Sequence, residues 1–533
     1  MAIAAPSSFT TSYQLTHPIR FVTAAALFDG HDAAINIVRR LLQAAGAEVI
    51  HLGHNRSVDE IVSTAIAEDV QGIAISSYQG GHLEFFKYLI DRLRASGYGS
   101  VRVYGGGGGV IVPEEIAELE TYGVAKIFSP EDGRVMGLQG MIDHMLRECD
   151  LPLAAPPDFG RLQVSETGNI GRAITYVEAG RLNPDELPRP ATSGVVLGIT
   201  GTGGAGKSSL VDELVRRFLA DQPTKTVAIL SVDPTQRRTG GALLGDRIRM
   251  NAIYRPQVYM RSLATRAANV AISNALPLAI RVVQAAGYDL VMVETAGIGQ
   301  ADSAIVDLTD LNLYVMTSDY GAASQLEKID MLSHADLIVI NKFDKRGAAD
   351  ALRDVRKQIQ RVQRHFGEPI ENMPVFGTIA SQFNDAGVNQ LYQALLAVIR
   401  QKAPIDYPVM LAAPSSELPY PPAGGAAAVP STSLPQHSHY LSRIAETIRS
   451  YRQRVQQQAE RARVAYGCAL ALQALQDNVP AMAGLYTPEQ LVEPSLDPAV
   501  RTLRQRYQAA LLDLTSLNLA LLQRWEAQVE AYT

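Results

Sequence analysis

The sequence predicts two successive α/β modules with parallel sheets, followed by an α-helical region. Three observations predict this fold class. Short apolar runs alternate with amphipathic helical patterns through two long regions, which is typical of parallel strands joined by crossover helices. A Pro-rich stretch at 414–436 can sustain neither a helix nor a central strand. Beyond it the chain is rich in Gln and Arg and has no strand pattern.

The first module is expected over 18–150. Its strand candidates are the runs IRFVTAAAL, AEVIHLG, GIAISS, SVRVYGG and AKIFSP. Helical patterns near 35–45 and 58–67 separate the first three runs. Strands joined in this way form a doubly wound, flavodoxin-like sheet. Ligands of such sheets bind beyond the carboxyl ends of the strands, so that edge is the expected position of a site.

A polar connecting segment is expected at 151–190 and the second module at 191–413. The strand candidates of the second module are SGVVLGIT, KTVAILSVD, YDLVMVETAG, LNLYVMT, DLIVINKFD and MPVFGTIA. Such near-continuous apolar runs indicate strands that are buried on both faces of a parallel sheet. After the linker at 414–436, a helical linker or docking region is expected at 437–533.

Composition argues against several classes of protein. Of the 533 residues, 47% are hydrophobic and 19% are charged, close to the ordinary globular balance. A formal net charge of -6 gives no broad positive surface, so nucleic acid is not expected as a partner. Membrane-length apolar runs are absent from the sequence, and Cys149 and Cys468 are too far apart for a zinc or redox motif. We therefore expect a cytoplasmic protein without a membrane partner.

A phosphate-binding loop is predicted by the segment GTGGAGKS, which follows the strand VVLGIT and opens a helical pattern. Backbone N–H groups around the glycines can wrap a polyphosphate, Lys207 can reach its outer phosphates, and Ser208 can offer a hydroxyl to magnesium. The nucleotide-binding residues expected in this loop are Gly201, Gly203, Gly204, Ala205, Gly206, Lys207, Ser208 and Ser209.

A base-recognition motif is predicted further along the chain, where Asn341, Lys342, Phe343 and Asp344 form N-K-x-D after the apolar run DLIVI. The carboxylate of Asp344 can accept both the N1 and N2 hydrogens of guanine, an arrangement that adenine lacks, so GTP is favoured over ATP. This motif resembles that of the GTPase family. The resemblance implies that Ala380 brings a backbone N–H to the guanine oxygen.

Acidic residues at strand ends beside the phosphate loop predict a magnesium site. The expected magnesium ligands are Ser208, Asp233, Asp246, Glu294 and Thr295. A structural alternative for each carboxylate is that it caps a helix or pairs with Arg247 or Arg249. Magnesium would neutralise the phosphates, directly or through bound water.

The predicted catalytic residues are Lys207 and Glu294, and Arg249 is expected to contact the nucleotide. Gly297 and Gly299 in ETAGIGQ predict a mobile backbone that could sense the terminal phosphate, and TGGALLGD around Gly240 predicts a second switch. The run VDPTQRRTGGALLGDRIRM, followed by ETAGIGQ, resembles the GTPase chaperones of adenosylcobalamin-dependent acyl-CoA mutases over roughly 192–402. That resemblance implies a GTPase, acting as a homodimer, that gates cofactor loading and protects the mutase.

The segment LFDGHDAA places Asp29 and His31 at the carboxyl edge of the first sheet. In an extended segment both side chains would project the same way. The carboxylate could then hold one ring N–H of the imidazole and leave the other nitrogen as a metal ligand. A glycine run at 105–109 lacks side chains and clears space for a large ligand at the same edge.

Together with Ser76, these residues resemble the cobalamin-binding module of adenosylcobalamin mutases, whose pattern is D-x-H-x-x-G, S-x-L and G-G. Two positions depart from it, with Ala34 in place of Gly and Tyr78 in place of Leu. A response-regulator receiver is a rival for this fold, but serine stands where its phosphoacceptor Asp would lie. The residues that the resemblance assigns are His31 as the lower axial ligand of cobalt, Asp29 as its partner, and Ser76, Gly108 and Gly109 in the slot for the nucleotide tail.

The order of the modules resembles the fused isobutyryl-CoA mutases, which continue through a helical linker into a mutase barrel. Such a barrel needs about 250 residues, so we expect it to be missing from this chain. The resemblance implies adenosylcobalamin, GTP and Mg²⁺ as cofactors. It also implies a mutase (β/α)-barrel with its acyl-CoA as partner, and interconversion of isobutyryl-CoA and n-butyryl-CoA by the whole enzyme. The alternative is a stand-alone, GTP-controlled cobalamin carrier that serves a separate methylmalonyl-CoA-type mutase.

Overall fold

The computed structural model describes residues 13–153, 155–189, 194–236, 239–266, 272–297, 303–320, 326, 329–364, 367–402, 407, 440–481 and 483–532. The chain divides into two compact units, Met1–Ala427 and Ala428–Thr533. The predicted Pro-rich linker at 414–436, the predicted start of the second module at 191 and Gly299 lie outside the described residues.

The first unit begins with an α/β module. Its strands are β1 (Arg20–Ala26), β2 (Glu48–Arg56), β3 (Gly72–Ser76), β4 (Arg102–Gly106) and β5 (Lys126–Phe128). Its helices are α1 (Ala33–Ala44), α2 (Val58–Ala67), α3 (His82–Ala95), α4 (Pro113–Tyr122) and α5 (Pro130–Cys149). The strands pair in parallel in the order β5-β4-β3-β1-β2, with α1 and α5 packed on one face and α2, α3 and α4 on the other. The strand order reverses between β1 and β3, where a ligand crevice is expected.

A second parallel sheet follows the connecting helix α6 (Thr167–Glu178). The strands of this region are β6 (Val195–Gly201), β7 (Val227–Asp233), β8 (Ala242–Leu244), β9 (Val258–Ala264), β10 (Leu290–Glu294), β11 (Leu311–Thr317), β12 (Leu337–Asn341) and β13 (Val375–Thr378). Its longer helices are α7 (Lys207–Asp221), α8 (Leu276–Ala285), α9 (Ala348–Val362) and α10 (Ala386–Lys402). Seven of these strands form one parallel sheet in the order β13-β12-β11-β6-β10-β7-β9.

Strand β8 joins the first sheet instead, beside β2, and makes it six-stranded. No local pattern predicts this exchange, because β8 is only three residues long and lies far from its partner in the chain. Strand β9 was not predicted either, since its polar Arg261 and Ser262 interrupt the apolar pattern although both are buried. The predicted fold class of two parallel α/β sheets is nevertheless confirmed.

The second unit is helical, as predicted. It contains α11 (Tyr440–Ala474), α12 (Pro488–Val492), α13 (Pro498–Leu512) and α14 (Ser516–Tyr532). Cys468 and Leu472 of α11 pack against Tyr507 and Leu511 of α13 in a small core. Among the residues that the structure describes, no helix combines the length and the apolar character needed to cross a bilayer.

Candidate functional site

The loop between β6 and α7 has the shape of a phosphate cradle. Its backbone requires glycine at two positions. Gly201 has a φ of 145° and lies against the carbonyl of Val315, so a side chain there would overlap backbone. Gly206 has a φ of 89°, and a Cβ atom there would lie 2.5 Å from Nδ2 of Asn341. The loop can therefore approach a ligand closely with its backbone N–H groups at the start of α7.

Lys207 and Ser208 lie at the start of α7, where the sequence places the phosphate contacts. The Lys207 ammonium is buried and donates to the carbonyl oxygens of Gly201 and Thr202, at 3.1 and 3.3 Å. The Ser208 hydroxyl lies 2.9 Å from a carboxylate oxygen of Glu294 and 3.1 Å from one of Asp246. The structure thus brings the predicted catalytic pair Lys207 and Glu294 to one side of the loop.

Two carboxylates in this cluster have an oxygen without a partner. Oδ2 of Asp233 and Oε2 of Glu294 are buried and accept no hydrogen bond from the described residues. Burial, reinforced by the neighbouring charge of Asp246, raises the pKa of both carboxyl groups well above the usual range. Unsatisfied buried carboxylates are costly, and a divalent cation would compensate them. This chemistry fits the predicted magnesium.

The carboxylates do not form a metal cage by themselves. Within the described part of the chain, no group of three or more His, Cys, Asp or Glu side chains is placed to hold a metal ion. Magnesium commonly binds through one or two protein ligands, with water and substrate phosphates completing the octahedron. The residues therefore fit an ion that arrives together with a nucleotide better than a resident ion.

A cavity of about 200 Å³ opens beside this cluster. Its lining includes most of the predicted nucleotide and magnesium residues, namely Gly203, Gly204, Gly206, Lys207, Ser208, Ser209, Asp233, Asp246, Arg249, Glu294 and Thr295. The Thr295 hydroxyl donates to the Thr200 hydroxyl, 2.8 Å away, so in this structure it forms a hydrogen bond within the protein. Arg247 pairs with Glu68 of the first module at 2.8 Å.

The N-K-x-D residues are linked directly to the phosphate loop. Asn341 donates from Nδ2 to the carbonyl of Ala205 at 2.8 Å, and Lys342 donates to that of Gly204 at 2.8 Å. Asp344 is exposed beyond the end of β12. The N–H of Ala380, which the resemblance assigns to guanine, donates to Oδ1 of Asn341 at 3.1 Å. The protein itself therefore uses that N–H in this structure.

The second candidate site lies at the carboxyl edge of the first sheet, after β1. The Asp29 carboxylate is buried, whereas 77% of the His31 side chain is exposed. One carboxylate oxygen accepts both the backbone N–H of His31, at 2.8 Å, and its ring Nδ1, at 2.9 Å. The other accepts the backbone N–H of Tyr78 at 2.6 Å. The ring is oriented at Nδ1, and the structure shows no hydrogen bond to Nε2 within the described residues.

A second hydrogen bond accompanies the contact between Asp29 and the His31 ring. The residues follow Phe28, which has a φ of 64°, and form a tight turn in which the carboxylate caps the His31 backbone. The turn buries the carboxylate and leaves the imidazole exposed. This arrangement suits an imidazole that binds the metal of a cofactor.

Ser76 contacts this turn directly, and Gly108 lies against Tyr78, whose ring is next to that of His31. The Ser76 hydroxyl donates to the carbonyl of His31 at 3.2 Å. Gly108 and Gly109 have φ values of 57° and 97°. Tyr78, at the position that departs from the family pattern, packs against Gly108, and the centroids of its ring and that of His31 are 5.5 Å apart. The glycine run thus makes room for Tyr78 as well as for any ligand.

Comparisons with known proteins agree with both sites. The family described as "B12 binding domain" matches residues 19–138, and "Methylmalonyl Co-A mutase-associated GTPase MeaB" matches residues 170–403. A fused isobutyryl-CoA mutase of Geobacillus kaustophilus is 51% identical over 98% of this chain and 47% of its own length. That of Cupriavidus metallidurans is 54% identical over 84% of this chain and 41% of its own. A putative GTPase of Pyrococcus abyssi is 35% identical over 44% of this chain and 73% of its own.

The chain is similar to fused isobutyryl-CoA mutases over most of its own length. The family resemblance drawn from the sequence is therefore confirmed, with a B12-binding domain and a MeaB-type GTPase domain on one chain. The chain spans about half the length of the fused isobutyryl-CoA mutases it matches.

Two further residues at these sites were not predicted from the sequence. The Ser231 hydroxyl donates to Asp246, which lines the cavity, and Asn55 accepts the backbone N–H of Phe28 at 2.8 Å. Ser231 stands two residues before Asp233, so strand alternation could have placed both side chains on one face. No comparable signal marks Asn55, because its partner is a backbone group in a distant turn.

Proposed function

We propose that this chain is the cobalamin-binding and GTPase portion of an adenosylcobalamin-dependent mutase that interconverts isobutyryl-CoA and n-butyryl-CoA. The observation that carries the proposal is the exposed His31 imidazole, held at Nδ1 by the buried Asp29. When bound, adenosylcobalamin supplies a carbon radical by homolysis of its cobalt–carbon bond.

In this proposal, the first module positions the cofactor. Asp29 would fix the tautomer and direction of His31 through Nδ1, so that Nε2 would be free to hold the cobalt of the cofactor. Ser76 steadies the turn through the His31 carbonyl. Gly108 and Gly109 leave room for the nucleotide tail of the cofactor. The chain thus binds and orients the cofactor, while the acyl-CoA would be held by a mutase (β/α)-barrel.

The second module would bind GTP and Mg²⁺. Backbone N–H groups at 201–206 and the Lys207 ammonium would neutralise the phosphates, and Asp344 would select guanine. Ser208, with Asp233, Asp246 and Glu294, would hold the ion directly or through water. Since the sequence offers no glutamine in the Ras position to orient the attacking water, we expect slow hydrolysis until a partner or dimer contact completes the site. GTP turnover would gate cofactor loading.

The same proposal includes the cellular compartment and the oligomeric state of the protein. Both Cys149 and Cys468 are free and buried, in keeping with a reducing, cytoplasmic compartment. A homodimer is the expected assembly, as implied by the resemblance to mutase chaperones. Light scattering of the purified chain, with and without Mg²⁺ and GTP, would test it.

The proposal is tested by titrating the chain with adenosylcobalamin and recording its absorbance. The wild type should show the change caused by replacement of the cofactor's own base with an imidazole, and His31→Ala should not. His17→Ala is the matched control, because His17 Nδ1 also pairs with a carboxylate, Asp150 at 2.8 Å, but lies before β1. An unchanged spectrum in wild type, or a full response in His31→Ala, would overturn the cobalamin assignment. Lys207→Ala should abolish GTP hydrolysis and leave the cobalamin spectrum intact.

A further inference from the structure

The segment 239–249 belongs to both modules of the first unit. It leaves the second module after β7, runs along the first module and returns to the nucleotide cavity. Its strand β8 pairs in parallel with the start of β2, with Ala242, Leu243 and Leu244 opposite residues 48–50. Two residues after β8, Asp246 reaches the Ser208 and Ser231 hydroxyls. A predicted ligand of Mg²⁺ thus closely follows a strand of the first sheet.

The return of this segment is anchored by a buried charge of the first module. Arg247 donates from Nε to Glu68 at 2.8 Å, and Glu68 is fully buried at the end of α2. Glu68 also accepts from Arg20 of β1, at 2.6 Å, and from the backbone N–H of Ser262 in β9, at 3.0 Å. Burial alone would raise the pKa of Glu68, but Arg247, Arg20 and Arg261 hold it below the usual value. The carboxylate therefore stays charged and ties the two sheets together.

The same segment contacts the irregular end of β2. The Ile248 side chain occupies the space beside Gly53, where a Cβ atom would lie 2.7 Å from its Cδ1. Gly53 has a φ of 84°, and the pairing of β1 with β2 shifts register on both sides of its partner, Ala24. This part of β2 is therefore not held by regular strand pairing, and the Ile248 side chain packs directly against its backbone.

A hydrogen bond connects this irregular end of β2 with the turn that contains Asp29 and His31. Asn55, two residues after Gly53 and with a φ of 56°, accepts the backbone N–H of Phe28 at 2.8 Å. Phe28 immediately precedes Asp29, which orients His31. Asp246 is thus linked to the turn that carries the imidazole by two short backbone segments, 246–248 and 53–55, and by the contacts of Ile248 with Gly53 and of Asn55 with Phe28.

We propose that segment 239–249 couples the two sites, so that the nucleotide state at Asp246 shifts the His31 turn through Ile248 and Asn55. The inference rests on the proposed function, because it requires both ligands to bind. Coupling between two binding sites is reciprocal: the factor by which the nucleotide changes cobalamin affinity equals the factor by which cobalamin changes nucleotide affinity. Coupled sites typically show factors of about 5 to 150.

The test measures that factor on the full chain. Affinity for adenosylcobalamin is titrated by absorbance with Mg²⁺ plus a non-hydrolysable GTP analogue, with Mg²⁺ plus GDP, and without nucleotide; nucleotide affinity is titrated with and without adenosylcobalamin. We expect wild type to show a factor of at least about fivefold between nucleotide states, equal in both directions. In Ile248→Ala and Asn55→Ala the factor should fall towards one, while each ligand alone still binds.

Matched controls lie off the route. Val362→Ala removes a side chain that is 38% exposed, as against 39% for Ile248, and Asn183→Ala removes an acceptor of one backbone N–H, as in Asn55→Ala. Both controls should keep the wild-type factor. A wild-type factor of one with both ligands bound would overturn the coupling but leave the assignments of the cobalamin site and the GTP site standing. A full factor in both route variants would overturn the route, and a chain that binds no cobalamin would overturn both proposals.

Discussion

Replacing Asp29 by Asn should weaken cobalamin binding while leaving the shape of the side chain almost unchanged. The carboxylate accepts three N–H donors, at 2.6, 2.8 and 2.9 Å, with one oxygen for Tyr78 and the other for His31. An amide has only one acceptor oxygen, so its NH₂ group must face a buried N–H. The hydrogen bond that is lost is therefore either the one from the Tyr78 backbone or one from His31, whose ring carries the metal-binding nitrogen.

The magnitude follows from the kind of bond that is lost. A hydrogen bond to a charged group contributes about 1.5–3 kcal/mol, and changing the partner of a metal-binding histidine typically costs about 10- to 100-fold in affinity. The two estimates agree, since 10- to 100-fold corresponds to about 1.4–2.7 kcal/mol. We therefore expect the Kd for adenosylcobalamin, measured by absorbance titration, to rise about 10- to 100-fold.

The control for this variant is Asp32→Asn. Asp32 lies in the same turn, is exposed, and makes no side-chain hydrogen bond to the start of α1. Its substitution removes the same charge without disturbing His31 and should leave the Kd within about twofold. Equal affinities for Asp29→Asn and Asp32→Asn would refute the view that the buried carboxylate orients the imidazole.

Three further predictions concern the base site, the first sheet and the helical unit. Asp344→Asn should weaken GDP binding about 10- to 150-fold, because it loses a charged acceptor for guanine, and calorimetry showing unchanged affinity would exclude Asp344 from base recognition. Burial, with a smaller effect of Arg39, lowers the pKa of His51 to about 4. Since the folded value lies below the unfolded one, stability is lost as the pH falls: wild type should lose about 2 kcal/mol relative to His51→Gln between pH 7 and pH 5 in urea unfolding. Leu472→Ala, at a fully buried position, should cost the helical unit about 2–5 kcal/mol, detected as a lower urea midpoint of its helical signal, whereas Leu475→Ala, 53% exposed, should not.

The parts of the fold that follow local patterns were predictable from the sequence. The apolar runs marked ten of the eleven strands longer than three residues, and glycine-rich and acidic residues at strand ends marked both sites. Because they lie at the carboxyl edge of one parallel sheet, residues that are far apart in sequence, such as Ser208 and Glu294, come into contact.

The remaining features depend on contacts between modules, which leave no periodic signal. Strand β8 is defined by its partner β2, and Arg261 is buried because Glu178 neutralises it at 2.6 Å, so neither was expected from the sequence. Helix α6 lies in a segment interpreted as a polar connection, yet its Ile170, Ala173 and Ile174 are fully buried. The tight turn at Asp29 depends on the positive φ of Phe28, a backbone choice that the surrounding hydrogen bonds impose.

The most direct test of the central claim is the electron paramagnetic resonance spectrum of cob(II)alamin bound to the chain. If His31 Nε2 is the lower ligand of cobalt, the nitrogen splitting should change from triplets to doublets when the histidines of the protein are labelled with ¹⁵N. The same label should have no effect in His31→Ala. Triplets that persist in the labelled wild type would show that the cofactor keeps its own base, and would contradict the account.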